Sequence, residues 1–404
     1  MASPSRQRAD AARYHTASQV LAVMSRRPGI TRAAMARELH LTSGFATEIT
    51  ARMRELRLLT EAAAPVRGRG RPTTVLQPHP EGPVVLAAEL RQEDWQHAVV
   101  TVDGQPHDVR RQAHRSRRPA TVLAAVRQTV AQARNRYGDR LRAVSLAVAG
   151  TVHDRRLVQA ATLGWGAVDL STITVDPSLP LLVGNDATLA GVAEARTGAA
   201  TTAGTALHLI VEVGIGGTLT IDGTPVTGAH GAAGEYGHLP LGDRRRHCPC
   251  GARGCWDLDV DGRALACHLG EPAPADPRTY ARQILDRAAD DARARQAVTA
   301  VAQALATGIA GLTNMHDPHL VTLGGLGPAI RHTAPAAFEG AYTDGLMAFH
   351  RAQPPPVVDA AHGDDGPLRG AAIIGLDHIT SEPALADWAL ARRSPSRRAG
   401  YPPA

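Results

Sequence analysis

The chain has 404 residues, enough for two or three domains with well-formed cores, and it contains no apolar run long enough for a membrane helix. Its four cysteines and the lack of an apolar secretory segment at the N-terminus favour a protein of the reducing cytoplasm. Residues 1–80 carry thirteen arginines against five acids, a net charge of +8, and the whole-chain value of +6 therefore leaves −2 for residues 81–404. This distribution predicts a small nucleic-acid-binding module joined to a larger body of nearly balanced charge.

The first eighty residues show three helical patterns. Apolar positions recur at helical spacing over residues 11–26, Pro28 and Gly29 end that helix, and Thr31 can cap the next one. A turn at residues 40–42 leads to a third helix over residues 43–57, with an expected buried stripe of Phe45, Ile49, Met53 and Leu56. Its remaining face offers short polar groups and arginines suited to DNA bases and phosphates, namely Ser43, Thr47, Thr50, Arg52 and Arg54.

Two short strands, expected around residues 58–60 and 73–76, would follow the third helix as a wing. The loop between them carries Arg67, Arg69 and Arg71 separated by glycines, and arginines in such a loop can enter a narrow minor groove. These elements together predict a winged helix-turn-helix DNA-binding domain over residues 1–80. The same pattern also allows a solvated three-helix domain with a basic linker.

After a linker at residues 77–83, apolar strand patterns alternate with helical patterns. Strands are expected at residues 84–89, 97–102, 143–149, 181–183, 207–213, 218–221 and 320–323, and helices at residues 117–137 and 298–315. Such alternation predicts an α/β fold with helices packed on the sheets.

Residues 228–257 hold three of the four cysteines and a histidine at the spacing H-x9-C-x-C-x4-C. Thiolates and imidazole are the usual ligands of structural zinc, which takes four of them in a tetrahedron. Gly251 and Gly254 would let the chain turn tightly around the ion, and the plainer interpretation is a surface loop. Cys267, the fourth cysteine, is expected to be a buried thiol. The predicted zinc ligands are His238, Cys248, Cys250 and Cys255.

This spacing, the upstream sequence GEYGH and the acid at Asp257 resemble the zinc signature of the ROK family, which comprises repressors and sugar kinases on an actin-like fold. The resemblance covers nearly the whole chain. It implies a two-lobed actin-like domain over residues 81–404, with lobe one at about residues 81–185 plus the C-terminal segment and lobe two at about residues 186–365. It also supports the N-terminal winged helix-turn-helix, since the family's repressors carry that domain.

Sugar kinases of the family need two glycine-rich phosphate loops, and the chain departs from both. Residues 89–94 are ELRQED where the family has D-x-G-G-T, and residues 212–216 are EVGIG where it has G-T-G-x-G. Side chains at these positions would block the approach of backbone amides to phosphate, and carboxylates would repel it. We therefore expect no kinase activity.

The resemblance implies a sugar site at Asn185, Asp186, Glu235, His238 and Asp257. In the kinases the acid matching Asp186 is the general base, and here it would keep only a hydrogen bond to sugar. His238 would bind zinc through one ring nitrogen and face the sugar with the other. Asp257 stands where glutamate is usual and Thr162 where asparagine is usual, so a pocket that has decayed and serves folding alone remains an alternative.

The sequence thus predicts a sugar-responsive transcriptional regulator of carbohydrate metabolism, most simply a repressor, with structural Zn²⁺ as its cofactor. Its expected partners are a double-stranded DNA operator, a small sugar or sugar-phosphate effector, and further copies of the chain in a homodimer or homotetramer, with no membrane contact. Two alternatives remain open. One is a ROK sugar kinase that also carries a DNA-binding domain, and the other is a DNA-binding regulator whose sugar pocket has decayed.

Overall fold

The computed structural model describes residues 4–63, 74–160, 163–174 and 176–393. The N-terminal part begins with three helices and ends with two antiparallel strands, with bounds α1 (Pro4–Arg26), α2 (Arg32–Glu38), α3 (Ser43–Glu55), β1 (Leu59–Ala63) and β2 (Thr74–Pro78). The Thr31 hydroxyl caps α2 by accepting a hydrogen bond from the backbone N–H of Ala34, as predicted. Thr42 caps α3 in the same way.

The buried face of α3 differs from the predicted one. Ala46, Ile49, Thr50 and Met53 are buried, whereas Phe45 is 37% exposed, so the prediction was wrong for Phe45 and for the exposure of Thr50. The buried positions keep helical spacing but start one residue later than expected. Thr50 can be buried because its hydroxyl donates to the backbone oxygen of Ala46 at 2.9 Å.

Strands and helices alternate in the rest of the chain. The strands are β3 (Val84–Leu90), β4 (Asp94–Thr101), β5 (Pro106–Ala113), β6 (Leu141–Val148), β7 (Thr151–His153), β8 (Arg156–Gln159), β9 (Val168–Asp169), β10 (Leu181–Asn185), β11 (Thr205–Glu212), β12 (Gly214–Ile221), β13 (Thr224–Pro225), β14 (Leu320–Gly325) and β15 (Val357–Asp359). The helices are α4 (Pro119–Tyr137), α5 (Asp186–Thr197), α6 (Gly262–Leu269), α7 (Pro277–Arg287), α8 (Ala292–His316), α9 (Gly327–Thr333), α10 (Pro335–Gly345), α11 (Ala348–Ala352), α12 (Gly366–Ile379) and α13 (Glu382–Arg393). Each strand and helix predicted for this part is present, with bounds that differ by a few residues.

Two mixed five-stranded sheets form the centre of the body. The first sheet has the strand order β10-β6-β3-β4-β5, and the second has the order β13-β12-β11-β14-β15. Parallel pairing joins β10, β6 and β3 in the first sheet, and β11, β14 and β15 in the second, while the remaining neighbours are antiparallel. The strands β7, β8 and β9 form a small separate antiparallel sheet. The predicted α/β class is therefore confirmed.

Helices cover both large sheets. One face of the first sheet packs against α4, the other packs against α12, and the core of the second sheet is shared with α8 and α10. Helix α5 contacts both β12 of the second sheet and α12. The contact between α5 and α12 is close because Gly370 has no side chain; a Cβ there would lie 1.9 Å from the backbone oxygen of Leu189. The first residues of α5 therefore lie where the two sheets approach each other.

The C-terminal helix α13 returns to the N-terminal helices. Leu385 and Trp388 are buried in the same apolar cluster as side chains of α1 and α3. The indole N–H of Trp388 donates to the backbone oxygen of Leu56, just after α3, at 2.8 Å. Arg392 stacks over the Trp388 ring at 4.2 Å and donates to the backbone oxygen of Glu81. This helix thus holds the N-terminal helices against the body. None of the described helices has the length and apolar character to cross a membrane.

Candidate functional site

Four side chains with metal-binding atoms meet in the loops between β13 and α6. Their ligand atoms all lie within 4.8 Å of one another, and the residues are His238, Cys248, Cys250 and Cys255. Gly251 (φ 97°) and Gly254 (φ 68°) have left-handed backbone conformations that favour glycine, so they make the tight turns that the sequence predicted. The sequence pattern and the structure agree on the same four residues.

Two pairs of these ligand atoms have the spacing expected around a tetrahedral ion, and the whole set lies within 4.8 Å. The Sγ atoms of Cys250 and Cys255 are 3.6 Å apart, and Cys248 Sγ lies 3.8 Å from His238 Nδ1. Zinc–sulfur bonds of about 2.3 Å and zinc–nitrogen bonds of about 2.0 Å would place tetrahedral ligands roughly 3.5 to 3.8 Å apart. Burial raises the pKa of the Cys255 thiol to about 12, so a bound cation is needed to keep that sulfur ionised. Cys267 is exposed and outside this group, and its predicted burial was wrong.

A cavity of about 720 Å³ lies beside the cysteine cluster and is lined by residues of both large sheets. This volume suits a small molecule such as a monosaccharide. The five residues of the predicted sugar site all line it: Asn185, Asp186, Glu235, His238 and Asp257. The structure therefore brings together side chains that are up to seventy-two positions apart in the sequence.

Asn185 and Asp186 occupy the start of α5. The Asn185 side-chain oxygen caps the helix by accepting from the backbone N–H of Thr188 at 2.9 Å, and its amide nitrogen donates to the Gly150 oxygen at 3.1 Å. Both ends of this amide are thus engaged within the protein. Burial, with the nearby Glu235 carboxylate as a further cause, raises the pKa of Asp186 to about 6. Asp186 therefore offers a carboxyl group that is partly neutral near physiological pH.

Glu235 links the two sides of the cavity. Its Oε1 accepts a hydrogen bond from the hydroxyl of Thr151 in β7 at 2.6 Å. Its Oε2 lies 3.8 Å from Nε2 of His238, whose other ring nitrogen faces Cys248. One imidazole ring thus lies between the cysteine cluster and the cavity, and the prediction that it binds both zinc and a sugar stays a prediction. Thr151 was not predicted, because its role depends on a contact across eighty-four positions.

Asp257 is buried and is committed to the start of β12. Its Oδ1 accepts from the backbone N–H of Ile215 at 2.7 Å, and its Oδ2 lies 3.3 Å from His238 Nδ1. A Cβ on Gly237 would lie 1.9 Å from Oδ1, so the space around this carboxylate is already full. The short aspartate side chain fits that space, and its bonds hold a strand as well as facing the cavity.

An ion pair occupies the position of the first phosphate loop. Glu89 is 4% exposed, accepts from the Gln96 amide at 2.7 Å and lies 3.0 Å from Arg91 Nε. Burial raises the pKa of Glu89 to about 7, against the opposing effect of Arg91. Asp94 lies 3.6 Å from the same Arg91 nitrogen. The side chains of this segment are therefore joined to one another by ion pairs and a hydrogen bond.

The second phosphate loop is occupied in a similar way. Glu212 forms an ion pair with Arg278, and Arg278 also lies 3.1 Å from Asp364. Burial raises the pKa of Glu212 to about 7. Gly216 is retained, but a Cβ there would lie 2.6 Å from the Cβ of Ala187, so the packing of α5 alone requires this glycine.

The predicted DNA-contacting residues are only partly on one surface. Ser43, Thr47 and Arg54 are exposed on α3 and lie within about 40° of one another around the helix axis, at about 100° per residue. Arg52 is half-buried and points to the opposite side of the helix, so the structure does not place it with the other three. Arg67, Arg69, Arg71 and Thr162 lie outside the described residues.

These features define a class: an α/β protein with two mixed sheets, a small-molecule cavity between them and a Cys₃His cluster at its wall. The model of the ROK family matches residues 88–378. The chain belongs to the ROK family.

The curated relatives of the chain include sugar kinases. The chain is 34% identical to an N-acetyl-D-glucosamine kinase of Pectobacterium carotovorum subsp. carotovorum (strain PC1) over 184 residues, which are 42% of this chain and 58% of the relative. It is 31% identical over 262 residues, 63% of this chain and 84% of the relative, to a kanosamine kinase of Amycolatopsis mediterranei (strain S699).

A solved structure, a ROK family transcriptional regulator described as a homologue of the E. coli MLC protein, matches with a TM-score of 0.72 at 20% identity and covers 94% of this chain and 100% of that chain. A match over 94% of the chain must include most of the residues before position 88, which the family model leaves out. At 20% identity the match shows a shared fold and nothing more.

Proposed function

We propose that this chain is a sequence-specific DNA-binding transcriptional regulator, a repressor of carbohydrate-metabolism genes that responds to a sugar and has no kinase activity. Residues 1–80 would form the DNA-binding domain. Residues 81–404 would form the sensor, with lobe one at about residues 81–185 plus the C-terminal segment and lobe two at about residues 186–365. The observation that carries this proposal is the exposed polar face of α3 in a strongly basic N-terminal part that lies outside the family's shared region.

The order α2, turn, α3, β1, β2 suits a winged helix-turn-helix in which α3 enters the major groove. Ser43, Thr47 and Arg54 would contact bases and phosphates from one face. Arg67, Arg69 and Arg71, between β1 and β2, would reach the adjacent minor groove. The fold shared with a ROK regulator over most of the N-terminal part supports this assignment.

The side chains at the loop positions support the proposed absence of kinase activity. Polyphosphate would have to displace Arg91 from Glu89 and Arg278 from Glu212, and the carboxylates left behind would repel it. With no phosphate to transfer, Asp186 would act only as a hydrogen-bond partner of a sugar hydroxyl. Zinc would be structural because the protein supplies all four ligands, which leaves no coordination position for a reacting water.

The route from cavity to DNA would run through the two C-terminal helices. Asp364, just before α12, and Pro367, in its first turn, line the cavity, and α13 follows α12 and contacts Leu56, just after α3, through Trp388. A sugar that binds one arrangement of the two sheets more tightly than another would change the position of α13. In a homodimer or homotetramer on a repeated operator, this would alter the distance between recognition helices.

The second candidate is a ROK sugar kinase, and it is favoured by the names of the curated relatives, which are kinases of N-acetyl-D-glucosamine and kanosamine. Release of ADP from ATP in the presence of these sugars tests it. Turnover above roughly 1 s⁻¹, a typical enzymatic rate, would establish kinase activity and overturn the proposal that the chain is a regulator with no such activity. Unchanged ATP after prolonged incubation supports the regulator.

DNA binding is tested by selecting duplexes from a random library with the full chain and measuring affinity by fluorescence anisotropy. We expect Arg54→Ala to weaken binding to the selected site roughly tenfold, because the variant loses a charged contact to a base or phosphate. Arg136→Ala is the control, since Arg136 is an exposed arginine on α4 paired with Asp108, remote from α3. Equal affinities of the two variants would remove α3 from the interface, and failure to enrich any sequence would overturn the proposed function.

A further inference from the structure

The arginines that line the cavity are all paired with carboxylates of the protein itself. Arg91 lies 3.0 Å from Glu89 and 3.6 Å from Asp94, and Arg278 contacts both Glu212 and Asp364. Each of these two guanidinium groups is thus matched by two carboxylates. Their charge is already neutralised before any ligand arrives.

The third arginine is matched as well. Arg263 directs Nε and Nη2 to the same Oδ2 of Asp261, at 2.7 Å and 2.6 Å, and Asp261 is fully buried. Withdrawing Arg263 toward a ligand would leave a buried carboxylate without its cation, which is strongly unfavourable. This arginine is therefore held in place too.

The carboxylates at the centre of the cavity have no such partners. Within the part of the chain that the structure describes, no arginine lies within ion-pair distance of Asp186, Glu235 or Asp257, and the basic group within that distance of Glu235 and Asp257 is the His238 ring. The cavity thus presents an excess of negative charge. Burial raises the pKa values of Glu89 and Glu212 to about 7, so placing a further anion beside them would also be unfavourable.

We propose that the cavity binds an unphosphorylated sugar, either uncharged or bearing an amino group, and rejects the phosphate ester of the same sugar. This inference rests on the proposed sugar-sensing function and specifies its ligand. Sugar hydroxyls and ammonium groups can donate to Asp186 and Glu235, whereas a phosphate group meets carboxylates that have no arginine partner and arginines that are already paired with carboxylates. The exclusion of phosphate is by repulsion and by the cost of breaking existing ion pairs.

The direct test compares matched pairs by calorimetry and thermal shift on the full chain: glucose with glucose 6-phosphate, and N-acetylglucosamine with its 6-phosphate, alongside glucosamine. We expect at least one unphosphorylated sugar to bind roughly tenfold or more tightly than its phosphate ester. A phosphate ester that binds as tightly as its parent sugar overturns this inference and leaves sugar sensing intact. No response to any sugar overturns both, while DNA binding remains separately measurable.

A charge variant tests the physical reason without any sugar. Asp364→Asn removes one of the two carboxylates on Arg278, and Glu212→Gln combined with it removes both. We expect affinity for inorganic phosphate to rise roughly fivefold in D364N and further in the double variant. Asp365→Asn is the matched control, because it removes the same charge from an exposed neighbouring residue.

The N-terminal arginines are identical in all these proteins, so their own phosphate binding cancels in the comparison. Asp364 is exposed, and D364N should therefore fold even if the double variant does not. Phosphate affinity that is the same in D364N and D365N would show that the arginine pairing does not exclude phosphate, and the inference would be wrong.

Discussion

The cysteine cluster and the two phosphate-loop positions border the same cavity, yet they differ in what their side chains do. At the cluster, four ligand atoms converge on one point, and the surrounding turns use glycines in left-handed conformations. At the loop positions, side chains that would have to be absent for phosphate binding are present and joined in ion pairs. One part of the cavity wall therefore has a metal-binding geometry, while at the loop positions the side chains are joined to one another in ion pairs.

Two glycines of the second loop position, Gly214 and Gly216, are required by local packing. Gly214 has φ 109°, and a Cβ there would lie 3.0 Å from the Asp257 carboxylate. Gly216 is packed against Ala187 of α5. A side chain at either glycine would therefore crowd the cavity wall. The wall does accommodate large side chains at the other two loop positions, which are Arg91 and Glu212.

The largest expected effect comes from breaking the cluster. Cys250→Ser removes one sulfur ligand, and because metal binding and folding are coupled we expect the free energy of unfolding to fall by roughly 4 kcal/mol or more. Bound zinc measured by mass spectrometry and unfolding in urea provide the readouts. We also expect the variant to lose any response to sugar, since His238 borders both cluster and cavity.

Cys267→Ser is the control for this prediction, because Cys267 is an exposed thiol outside the cluster. It should keep the zinc content and stability of the parent chain. A C250S protein that retains one zinc per chain, the same stability and normal induction by sugar would contradict the metal assignment.

A smaller effect is expected from the first loop position, and it depends on pH. Burial raises the pKa of Glu89 to about 7 in the folded chain, from 4.5 for an exposed glutamate, so the folded state binds a proton more tightly than the unfolded state between those values. Its contribution to stability is thus present at low pH and is lost as the pH rises from about 4.5 through 7, by up to about 3 kcal/mol at 1.36 kcal/mol per pKa unit.

Glu89→Gln removes this titration. Between pH 5 and pH 8 the stability of the variant should improve relative to the parent chain by about 2.5 kcal/mol, measured by urea unfolding at several pH values. Glu55→Gln, at an exposed carboxylate on α3, should follow the parent chain at every pH. Parallel curves for E89Q and the parent chain would show that Glu89 does not titrate as its burial indicates.

The sequence was sufficient for features that depend on local pattern. The strands at β3, β6, β11 and β14 and the helix α8 were predicted because each has a long apolar pattern. The short polar strand β5 was missed because seven of its eight residues are exposed, and no apolar alternation marks it. Helix α13 was missed because its packing on the N-terminal helices depends on a contact between Trp388 and Leu56 across 332 positions.

In the candidate site, too, the residues that the sequence predicted are those marked by a local pattern. The cluster ligands were predicted because they lie within eighteen positions and their type is restricted. The partners of Arg91 and Arg278 were not, because charged residues are common and only the fold decides which of them meet. The misplaced Phe45 and Arg52 on α3 show a further limit: an amphipathic pattern predicts a helix well but leaves its rotation uncertain by a residue when small residues such as Ala46 and Thr50 can be buried.

The smallest expected effect comes from the hydrogen bond that joins the two sides of the cavity. Thr151→Val keeps the shape of the side chain but removes the hydroxyl that donates to Glu235 at 2.6 Å. Because this bond is half-buried and reaches a charged acceptor, we expect a loss of about 1 kcal/mol in the free energy of unfolding.

The two sides of the cavity should also separate more readily in Thr151→Val, which limited proteolysis of the segment around Glu235 can measure. Thr172→Val is the control, since the Thr172 hydroxyl bonds only to the nearby oxygen of Asp169 on the surface. If the two variants are equally stable and equally resistant to protease, the hydrogen bond from Thr151 to Glu235 does not hold the two sides of the cavity together.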